Sequence, residues 1–313
     1  MKQKLTQELL LSLTADTPSI SPKFFYDEIG SHLFEVITLL DEYYPTRTEK
    51  WIMDNYQSEI ANAVGSCDAL LDLGAGNCIK ASQLFNSIKP KQYHALDISK
   101  EFLETAVADL RKQFPQISMS AHAVDLSQTF TFPTLQNLRK IFFFPGSSIG
   151  NYDPDKADAF FSNLAIQCND DGGLLIGVDL VKDVQTLNCA YNDALGVTAA
   201  FNLNALLNIN KLIGSNFNPV NWEHYAFFNT SLSRIEMHLR ARDDVKVTIP
   251  ELGSKDHVLT FKAGDLIHTE NSYKYTQDDF VEKLRSAGFE NIHSWTDPQN
   301  HFLVCFVNAR KIS

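Results

Sequence analysis

Short apolar runs alternate along the chain with stretches that repeat apolar residues at helical spacing. Strands covered on both faces are continuously apolar, and six runs fit buried strands of a parallel sheet: 69–73, 93–97, 120–124, 140–144, 173–178 and 302–307. The clearest helical pattern follows Asp97, where Ser99 can cap a helix carrying Leu110 on its apolar face. The alternation predicts an α/β fold, with a doubly wound sheet that binds ligands at the carboxyl ends of its strands.

Two regions fall outside this alternation. Residues 1–60 have helical patterns and are rich in aromatic residues, and residues 181–274 hold a long helical stretch, an alternating strand-like run at 233–240 and a strand-like pair flanking 250–264. A helical pattern at 275–289 ends at Gly288, as a glycine-capped helix does. We therefore expect a nucleoside-binding core of 46–180 plus 275–313. A second α+β lobe of 1–45 plus 181–274 would cover the substrate.

The first predicted strand runs into a glycine-rich turn. Residues 71–80 read Leu-Asp-Leu-Gly-Ala-Gly-Asn-Cys-Ile-Lys, and the second strand ends at Asp97, 21 residues after Gly76. Glycines let a backbone approach a ligand, and a carboxylate at the next strand end accepts hydrogen bonds from ribose hydroxyls. The third glycine of a dinucleotide fold is absent, which disfavours a pyrophosphate. The pattern favours a ligand with ribose and no phosphate, such as S-adenosylmethionine (SAM), over an ordinary strand–helix turn.

Other polar residues follow the predicted strand ends. Asp97 is a ribose acceptor or a cap before Ser99, and Asp125, after the third strand, is an adenine partner or an ordinary strand-end aspartate. Lys80 is a cofactor residue or a solvated lysine of the first helix. After the fourth strand, Asn151 offers both a donor and an acceptor to the reacting centre, although it also suits a plain turn.

Composition narrows the class of partner. The 313 residues carry 27 basic and 38 acidic side chains, a net charge of −11, which would repel a nucleic-acid backbone. Five dispersed cysteines without a Cys-x-x-Cys pair favour the reducing cytoplasm. No run approaches the roughly 20 apolar residues of a membrane span. Nine scattered histidines show no metal-ligand spacing, so we expect no metal, no membrane, no nucleic acid and, by default, a monomer.

Seven segments go beyond the generic α/β pattern, and they span nearly the whole chain in order: 21–38, 41–49, 144–151, 177–183, 190–204, 234–239 and 268–275. The first contains Ser-Pro-Lys-Phe-Phe-Tyr-Asp, and the second reads Asp-Glu-Tyr-Tyr-Pro-Thr-Arg-Thr-Glu. Together they resemble the histidine-specific, SAM-dependent methyltransferase family, which includes the ergothioneine-pathway enzyme that trimethylates the α-amine of histidine. The resemblance implies a Rossmann-like methyltransferase core and a histidine pocket between the lobes.

The resemblance also implies roles for single residues. On the cofactor side it implies contacts from Gly74 in the turn, with Gly76 beside it, and from Lys80, Asp97 and Asp125. On the substrate side, the residues implied to hold the amine, carboxylate and ring of the amino acid are Tyr26, Tyr43, Asn151 and Tyr191, and Met237 matches an apolar residue of the pocket. Tyr26 and Asn151 are the catalytic candidates, because they would aim the amine. Glu270 and Ser272 would meet the imidazole.

The sequence leaves two other hypotheses about function open. One is the same chemistry on another amine, such as tryptophan or a modified histidine, and the Glu270 and Ser272 pair argues against it. The other is a SAM-binding module that transfers no methyl group. The turn also departs from the family at Asn77, Cys78 and Ile79, where small polar residues are usual. That departure concerns the cofactor contacts more than the reaction.

Overall fold

The computed structural model describes residues 2–168, 171–250 and 256–310. Its helices are α1 Lys2–Leu13, α2 Glu28–Ile37, α3 Tyr44–Asn55, α4 Gln57–Val64, α5 Ile79–Ser82, α6 Phe85–Ile88, α7 Lys100–Gln113, α8 Pro154–Gln167, α9 Val184–Ala190, α10 Val197–Ile213 and α11 Gln277–Ser286. Its strands are β1 Ala69–Leu73, β2 Gln92–Asp97, β3 Ser118–Ala123, β4 Lys140–Phe144, β5 Gly173–Asp179, β6 Trp222–Asn229, β7 Arg234–Ala241, β8 Val245–Ile249, β9 His257–Phe261, β10 Leu266–Tyr273, β11 Phe289–Thr296 and β12 Phe302–Ala309.

The chain divides into two compact units. We call the first, Tyr44–Lys182 with Tyr273–Ser313, the core unit, and the second, Met1–Tyr43 with Asp183–Ser272, the insertion unit. The core unit holds a seven-stranded sheet in the order β11-β12-β5-β4-β1-β2-β3. Strands β1 to β5 are parallel, and their carboxyl ends therefore meet at one edge of the sheet.

Both faces of the core sheet are covered, as its apolar strands require. Alternate residues of one strand point to opposite faces. Leu70 of β1 therefore packs in a cluster that includes helices α4 and α7, while Leu71 enters a second cluster with Phe161 of α8 and Phe280 of α11. The sheet is thus the centre of a three-layer α/β core, and the predicted fold class is confirmed.

The structure corrects the predicted sheet at its far edge. Strand β12 is antiparallel to both β5 and β11, whereas we predicted a sixth parallel strand. Strand β11 was not predicted at all, because its burial is interrupted and its sequence carries no continuous apolar run. An apolar run indicates burial on both faces but carries no information about strand direction.

The insertion unit combines helices with two small sheets. Strands β10, β7 and β6 form one sheet in that order, with β6 and β7 antiparallel, and β8 pairs with β9 in the other. The strand predicted at 233–240 is observed as β7, but β6 was missed. Strands β8 and β10 flank 250–264 as predicted, yet they do not pair with each other, because β9 lies within that range and pairs with β8. Residues 251–255 lie outside the described part of the chain.

Candidate active site

The glycine turn after β1 leaves open space on one side. Gly74 and Gly76 have left-handed backbone angles (φ 72° and 51°), which glycine adopts without strain. A Cβ atom built on Gly76 would meet no atom within 4 Å, and one on Gly74 would meet only Ser148 Oγ at 4.0 Å. The amides of Gly74 and Ala75 donate to the Leu96 carbonyl of β2 (2.9 and 3.0 Å), which fixes the turn. A ligand can therefore lie directly against this backbone.

Asp97 binds the glycine turn from the end of β2. Its Oδ2 accepts a hydrogen bond from the Gly76 amide and its Oδ1 accepts one from the Ser99 amide, both at 3.0 Å. The local bond to Ser99 matches the capping interpretation, while the bond to Gly76 brings the carboxylate to the turn. Each carboxylate oxygen can accept more than one hydrogen bond. The side chain therefore has acceptor capacity left for a pair of hydroxyl groups.

Lys80 of α5 is bound by a buried carboxylate that the sequence interpretation overlooked. Its Nζ donates to Glu49 Oε2 of α3 at 2.5 Å, and Glu49 Oε1 accepts from the Gly146 amide at 2.8 Å. Glu49 is 3% exposed. A Cβ built on Gly177 would lie 2.1 Å from Glu49 Oε1, so Gly177 has no room for a side chain, and one on Gly146 would lie 3.2 Å from Lys80 Nζ. Lys80 is therefore a held cation beside the turn, not a freely solvated lysine.

Asp72 lies fully buried in β1, beneath the turn. Its Oδ2 accepts from the Tyr93 hydroxyl at 2.7 Å, whereas its Oδ1 has no hydrogen-bond partner. Burial raises the pKa of Asp72 to about 7; the neighbouring Asp97 charge acts in the same direction and Tyr93 opposes it. A buried acceptor without a partner is costly. Asp72 is therefore a buried, half-satisfied carboxyl group of the core unit.

Asp125 and Asn151 follow β3 and β4. Asp125 Oδ1 accepts from the amide and the hydroxyl of Ser127 at 3.0 and 2.5 Å. Burial raises the pKa of Tyr152, and the Asp125 charge contributes, which places that carboxylate near the residue after Asn151. Asn151 ends the short 3-10 helix Ser148–Asn151. The strand ends thus bring the predicted cofactor residues and Asn151 into one part of the core unit.

The predicted substrate tyrosines belong to one aromatic cluster of the insertion unit. The Tyr26 ring packs edge-on against Phe34, with centroids 5.9 Å apart, and Phe34 packs against Tyr43 at 6.3 Å. Tyr43 in turn packs against Tyr191 at 6.2 Å. Phe201 of α10 also contacts Tyr26, at 5.5 Å. The three tyrosines, far apart in the sequence, are therefore neighbours in space.

The remaining substrate candidates lie on two neighbouring strands of the same unit. The Tyr191 hydroxyl donates to Ser272 Oγ of β10 at 2.9 Å. Glu270, on the same strand, is 8% exposed, and Met237 of the adjacent strand β7 is 1% exposed. Glu270 is thus a buried carboxylate and not a surface one. Met237 belongs to the buried packing of the sheet.

Two asparagines of α10 bind the segment that carries Tyr26. Asn204 Nδ2 donates to Asp27 Oδ1 at 2.7 Å and Asn208 Nδ2 donates to the Phe24 carbonyl at 2.8 Å. Both bonds fasten the segment that carries Tyr26 to α10.

Four of the five cysteines are buried thiols. Burial raises the pKa of Cys67, Cys78, Cys168 and Cys305 to about 12 in each case. A thiol of that pKa is protonated near neutral pH and is a poor nucleophile. Cys78, within the glycine turn, is therefore a packing residue.

The strand order, the glycine turn and the carboxylate at the end of β2 define a Rossmann-like methyltransferase of the SAM-dependent class. Within that class, the chain belongs to the family of SAM-dependent, histidine-specific methyltransferases, whose model matches residues 5–309. The family predicted from the sequence segments is thereby confirmed, as are the enzyme class and SAM dependence.

Three relatives show how far the similarity extends. The chain is 37% identical to histidine N-alpha-methyltransferase of Mycolicibacterium smegmatis, over 96% of this chain and 93% of the relative. It is 33% identical to the Mycobacterium tuberculosis protein of the same name, over 95% and 92%. Ergothioneine biosynthesis protein 1 of Neurospora crassa is 30% identical over 91% of this chain, which corresponds to 32% of that longer relative.

Proposed function

We propose that this enzyme transfers methyl groups from SAM to the α-amine of L-histidine, forming Nα,Nα,Nα-trimethylhistidine (hercynine), a step of ergothioneine biosynthesis. The observation that carries the proposal is the buried polar pair of the insertion unit, in which Ser272 accepts from the Tyr191 hydroxyl and Glu270 lies two residues away on the same strand. The two histidine N-alpha-methyltransferases similar to this chain over almost its whole length support the same substrate.

The core unit offers a binding partner to each part of SAM. Asp97 would accept from the ribose hydroxyls, Asp125 would lie near the adenine amino group, and Lys80 would bind the carboxylate of the methionine portion. The open side of the Gly74 and Gly76 turn gives the ligand its space.

The chain's role in methyl transfer is orientation and exclusion of water. SAM supplies a methyl group activated by its sulfonium, so no covalent enzyme intermediate is needed. The histidine amine must lose a proton to solvent before its nitrogen forms the new N–CH3 bond and the S–CH3 bond breaks. Tyr26 and Asn151 would hold the amine in line with the methyl group, and orientation of this kind supplies a large share of catalysis. Repeated methylation requires each product amine to turn and present its lone pair again.

Glu270 would decide which amino acid is accepted. A carboxylate with Ser272 nearby can orient the second ring nitrogen of an imidazole, and an indole has no such nitrogen. Sites with buried polar partners reject ligands that leave those partners unpaired. The Tyr191 hydroxyl fixes Ser272 for this role.

The first experiment is mass spectrometry of the protein incubated with SAM and an equimolar mixture of the twenty amino acids. We expect histidine to gain three methyl masses, and no other amino acid to be methylated. Methylated tryptophan, or a product that stops at one methyl group, would contradict the proposed substrate or product. SAM binding without any product would contradict transfer to a free amino acid.

The specificity role of Glu270 is tested by Glu270→Ala. We expect the ratio of kcat/KM for histidine to that for tryptophan to fall roughly 10- to 100-fold, equivalent to about 1.5–3 kcal/mol for a hydrogen bond to a charged group. Glu236→Ala is the matched control, since Glu236 is equally buried on the neighbouring strand but pairs with Arg234. An unchanged ratio in Glu270→Ala would remove Glu270 from the specificity site.

We also propose that the enzyme works in the cytoplasm as a monomer on a small-molecule substrate. Its buried, unpaired thiols suit a reducing compartment. Among the described helices, none has both the length and the apolar character needed to span a bilayer.

A further inference from the structure

The chain passes from one unit to the other at three places: after Tyr43, after Lys182 and after Ser272. At each crossing, one residue of the core unit lies within two residues of the boundary: Tyr44, Lys182 and Lys274. All three side chains bind one carboxylate, that of Asp179 at the end of β5. We call these four residues the crossing cluster.

The crossing cluster lies entirely within the core unit. The Tyr44 hydroxyl lies 2.9 and 2.7 Å from the two Asp179 oxygens. Lys182 Nζ donates to Asp179 Oδ1 at 2.5 Å and to the Tyr44 hydroxyl at 2.6 Å. Lys274 Nζ lies 2.8 Å from Asp179 Oδ2. Asp179 has no exposed surface, and the side chains of Lys182 and Lys274 are 4% and 1% exposed.

The two lysine charges of the crossing cluster stabilise the Asp179 carboxylate. Burial alone would raise the pKa of Asp179, but the two lysine charges outweigh it and hold that pKa below its ordinary value. Burial lowers the pKa of Lys182 to about 8, against the opposing effect of Asp179. A buried charge without its partner is strongly unfavourable. The cluster therefore fixes the position of three chain segments at one point.

Each fixed segment leads to a residue of the proposed substrate site. Tyr44 follows Tyr43 directly, and Lys274 follows Ser272 by two residues. Lys182 precedes Asp183, whose Oδ1 caps α9 through the Thr186 amide at 2.8 Å, and α9 ends at Ala190, directly before Tyr191.

A fourth segment is fixed through the backbone of Asp179. Its amide donates to Ser147 Oγ at 2.9 Å, and Ser147 precedes the short 3-10 helix that ends at Asn151. The crossing cluster therefore also holds the segment that carries one of the two catalytic candidates.

We propose that Asp179, with Tyr44, Lys182 and Lys274, positions the substrate-site residues for methyl transfer, so that the crossing cluster sets turnover of the amino acid and not binding of SAM. The inference rests on the proposed function for its substrate. It assigns these four residues a positioning role, because none of them is placed against the reacting atoms. Misplacement of reacting groups by about 1 Å can cost on the order of 100-fold in rate.

Tyr44→Phe and Lys274→Met test the inference. Tyr44→Phe removes a single hydroxyl and leaves Asp179 between its two lysines, so the protein keeps its charge balance. We expect both variants to raise KM for histidine, to lower kcat, and to reduce kcat/KM about 10- to 100-fold. The dissociation constant for SAM, measured by calorimetry, should stay within about twofold of wild type.

Lys140→Met is the matched control. Lys140 is also a buried lysine of the core unit, 3% exposed. It lies at the amino end of β4, whereas Asp179 lies at the carboxyl end of the neighbouring parallel strand β5, and its Nζ donates to the Leu135 carbonyl at 2.9 Å. We expect this variant to lower Tm without changing kcat/KM. If Tyr44→Phe and Lys274→Met likewise lower only Tm, the crossing cluster is a structural ion pair and the inference is overturned.

The two proposals fail in different ways. If the wild-type protein methylates an amine other than histidine, the proposed substrate falls, and the same variants are measured on that amine. If wild type methylates histidine and the variants equal it in kcat/KM, only the positioning role falls. A parallel loss of SAM affinity in Tyr44→Phe would also contradict it, since the cluster would then act on the cofactor side.

Discussion

Two buried carboxylates of the core unit differ in how many of their oxygens have hydrogen-bond partners. Glu49 is buried and has partners on both oxygens, from Lys80 and from the Gly146 amide. Asp72 is also buried but has a partner on one oxygen only. The first residue is therefore a fixed support for a lysine, and the second is a buried carboxyl group with one unsatisfied oxygen. The local sequence around Glu49 and Asp72 does not predict this difference.

Glu49→Gln separates the support of Lys80 from the packing of the side chain. The amide keeps an oxygen for the Gly146 amide but loses the charge that holds Lys80. Because Lys80 would then be less fixed toward the SAM carboxylate, we expect the dissociation constant for SAM to rise about 10-fold, as for loss of a charge-assisted hydrogen bond. Isothermal titration calorimetry measures it.

Glu59→Gln is the control for Glu49→Gln. Glu59 accepts a hydrogen bond from Trp295 Nε1 at 3.1 Å, in the same unit, and none of its observed contacts involves the glycine turn. The SAM affinity of the Glu59→Gln variant should equal that of wild type. Wild-type affinity in Glu49→Gln would show that Lys80 does not depend on its carboxylate partner for SAM binding.

Asp72 gives the stability of the protein a defined pH dependence. Its pKa is about 7 in the folded protein, against an ordinary value of 3.8. The folded state therefore holds a proton that the unfolded state has lost between these values. The corresponding stability is fully present below pH 3.8 and is lost as pH rises to about 7, at no more than about 1.4 kcal/mol per pH unit.

Asp72→Asn should remove this contribution. We expect the free energy of unfolding of the variant to fall less than that of wild type between pH 5 and pH 7, when both are measured by urea denaturation without SAM. Other groups titrate in both proteins, so the difference between the two curves reports Asp72. Parallel curves would mean that the Asp72 carboxylate is already charged at pH 5.

Among the elements, α2 and the preceding 3-10 helix Pro22–Phe25 depend on a close backbone approach. A Cβ built on Gly30 would lie 1.7 Å from the Phe25 carbonyl oxygen. The Gly30 amide also donates to Asp27 Oδ1 at 2.9 Å, which caps α2. Tyr26 lies between these two helices, so its position depends on a glycine four residues later.

Gly30→Ala should therefore lower kcat/KM for histidine without lowering the affinity for SAM. The backbone must move to admit the methyl group, which displaces Tyr26, and we expect kcat/KM for histidine to fall at least 10-fold. Ile29→Ala, at a side chain that is 60% exposed, should leave it unchanged. SAM affinity should be retained in both variants. Equal loss of SAM affinity in Gly30→Ala would indicate general unfolding instead.

For the whole molecule, the two compact units carry different sets of candidate residues. Every predicted cofactor residue lies in the core unit, and the substrate residues other than Asn151 lie in the insertion unit. The division therefore predicts that binding of SAM affects mainly the core unit and that binding of the amino acid affects mainly the insertion unit. The net charge of −11 further suits attraction of SAM, which carries a net positive charge.

Hydrogen exchange monitored by mass spectrometry tests this division. We expect SAM alone to slow exchange in peptides that cover the glycine turn and the end of β2, because the bound ligand orders that backbone. Peptides that cover β8 and β9 of the insertion unit should exchange as before and serve as the internal control. Protection restricted to the insertion unit would contradict the placement of the SAM site.

Much of the core unit could be predicted because its signals are local. Continuous apolar runs gave five parallel strands within a few residues of their observed limits, and the turn and Asp97 follow from spacing alone. The edge of the sheet could not be predicted in the same way. Strand β11 is only partly buried, and the direction of β12 depends on its neighbours. Pairing between distant strands leaves no mark in a local pattern.

Residue types and their spacing determined the α/β class, the glycine-rich turn after β1 and, through segment resemblance, the methyltransferase family. Only the tertiary structure decided which residues meet: Glu49 with Lys80, Tyr191 with Ser272, and Asp179 with the residues beside the three crossings. A carboxylate becomes a support, a free acceptor or an ion-pair centre according to what surrounds it once water is excluded. Those surroundings come from distant parts of the chain, which is the physical reason that the sequence alone could not assign these roles.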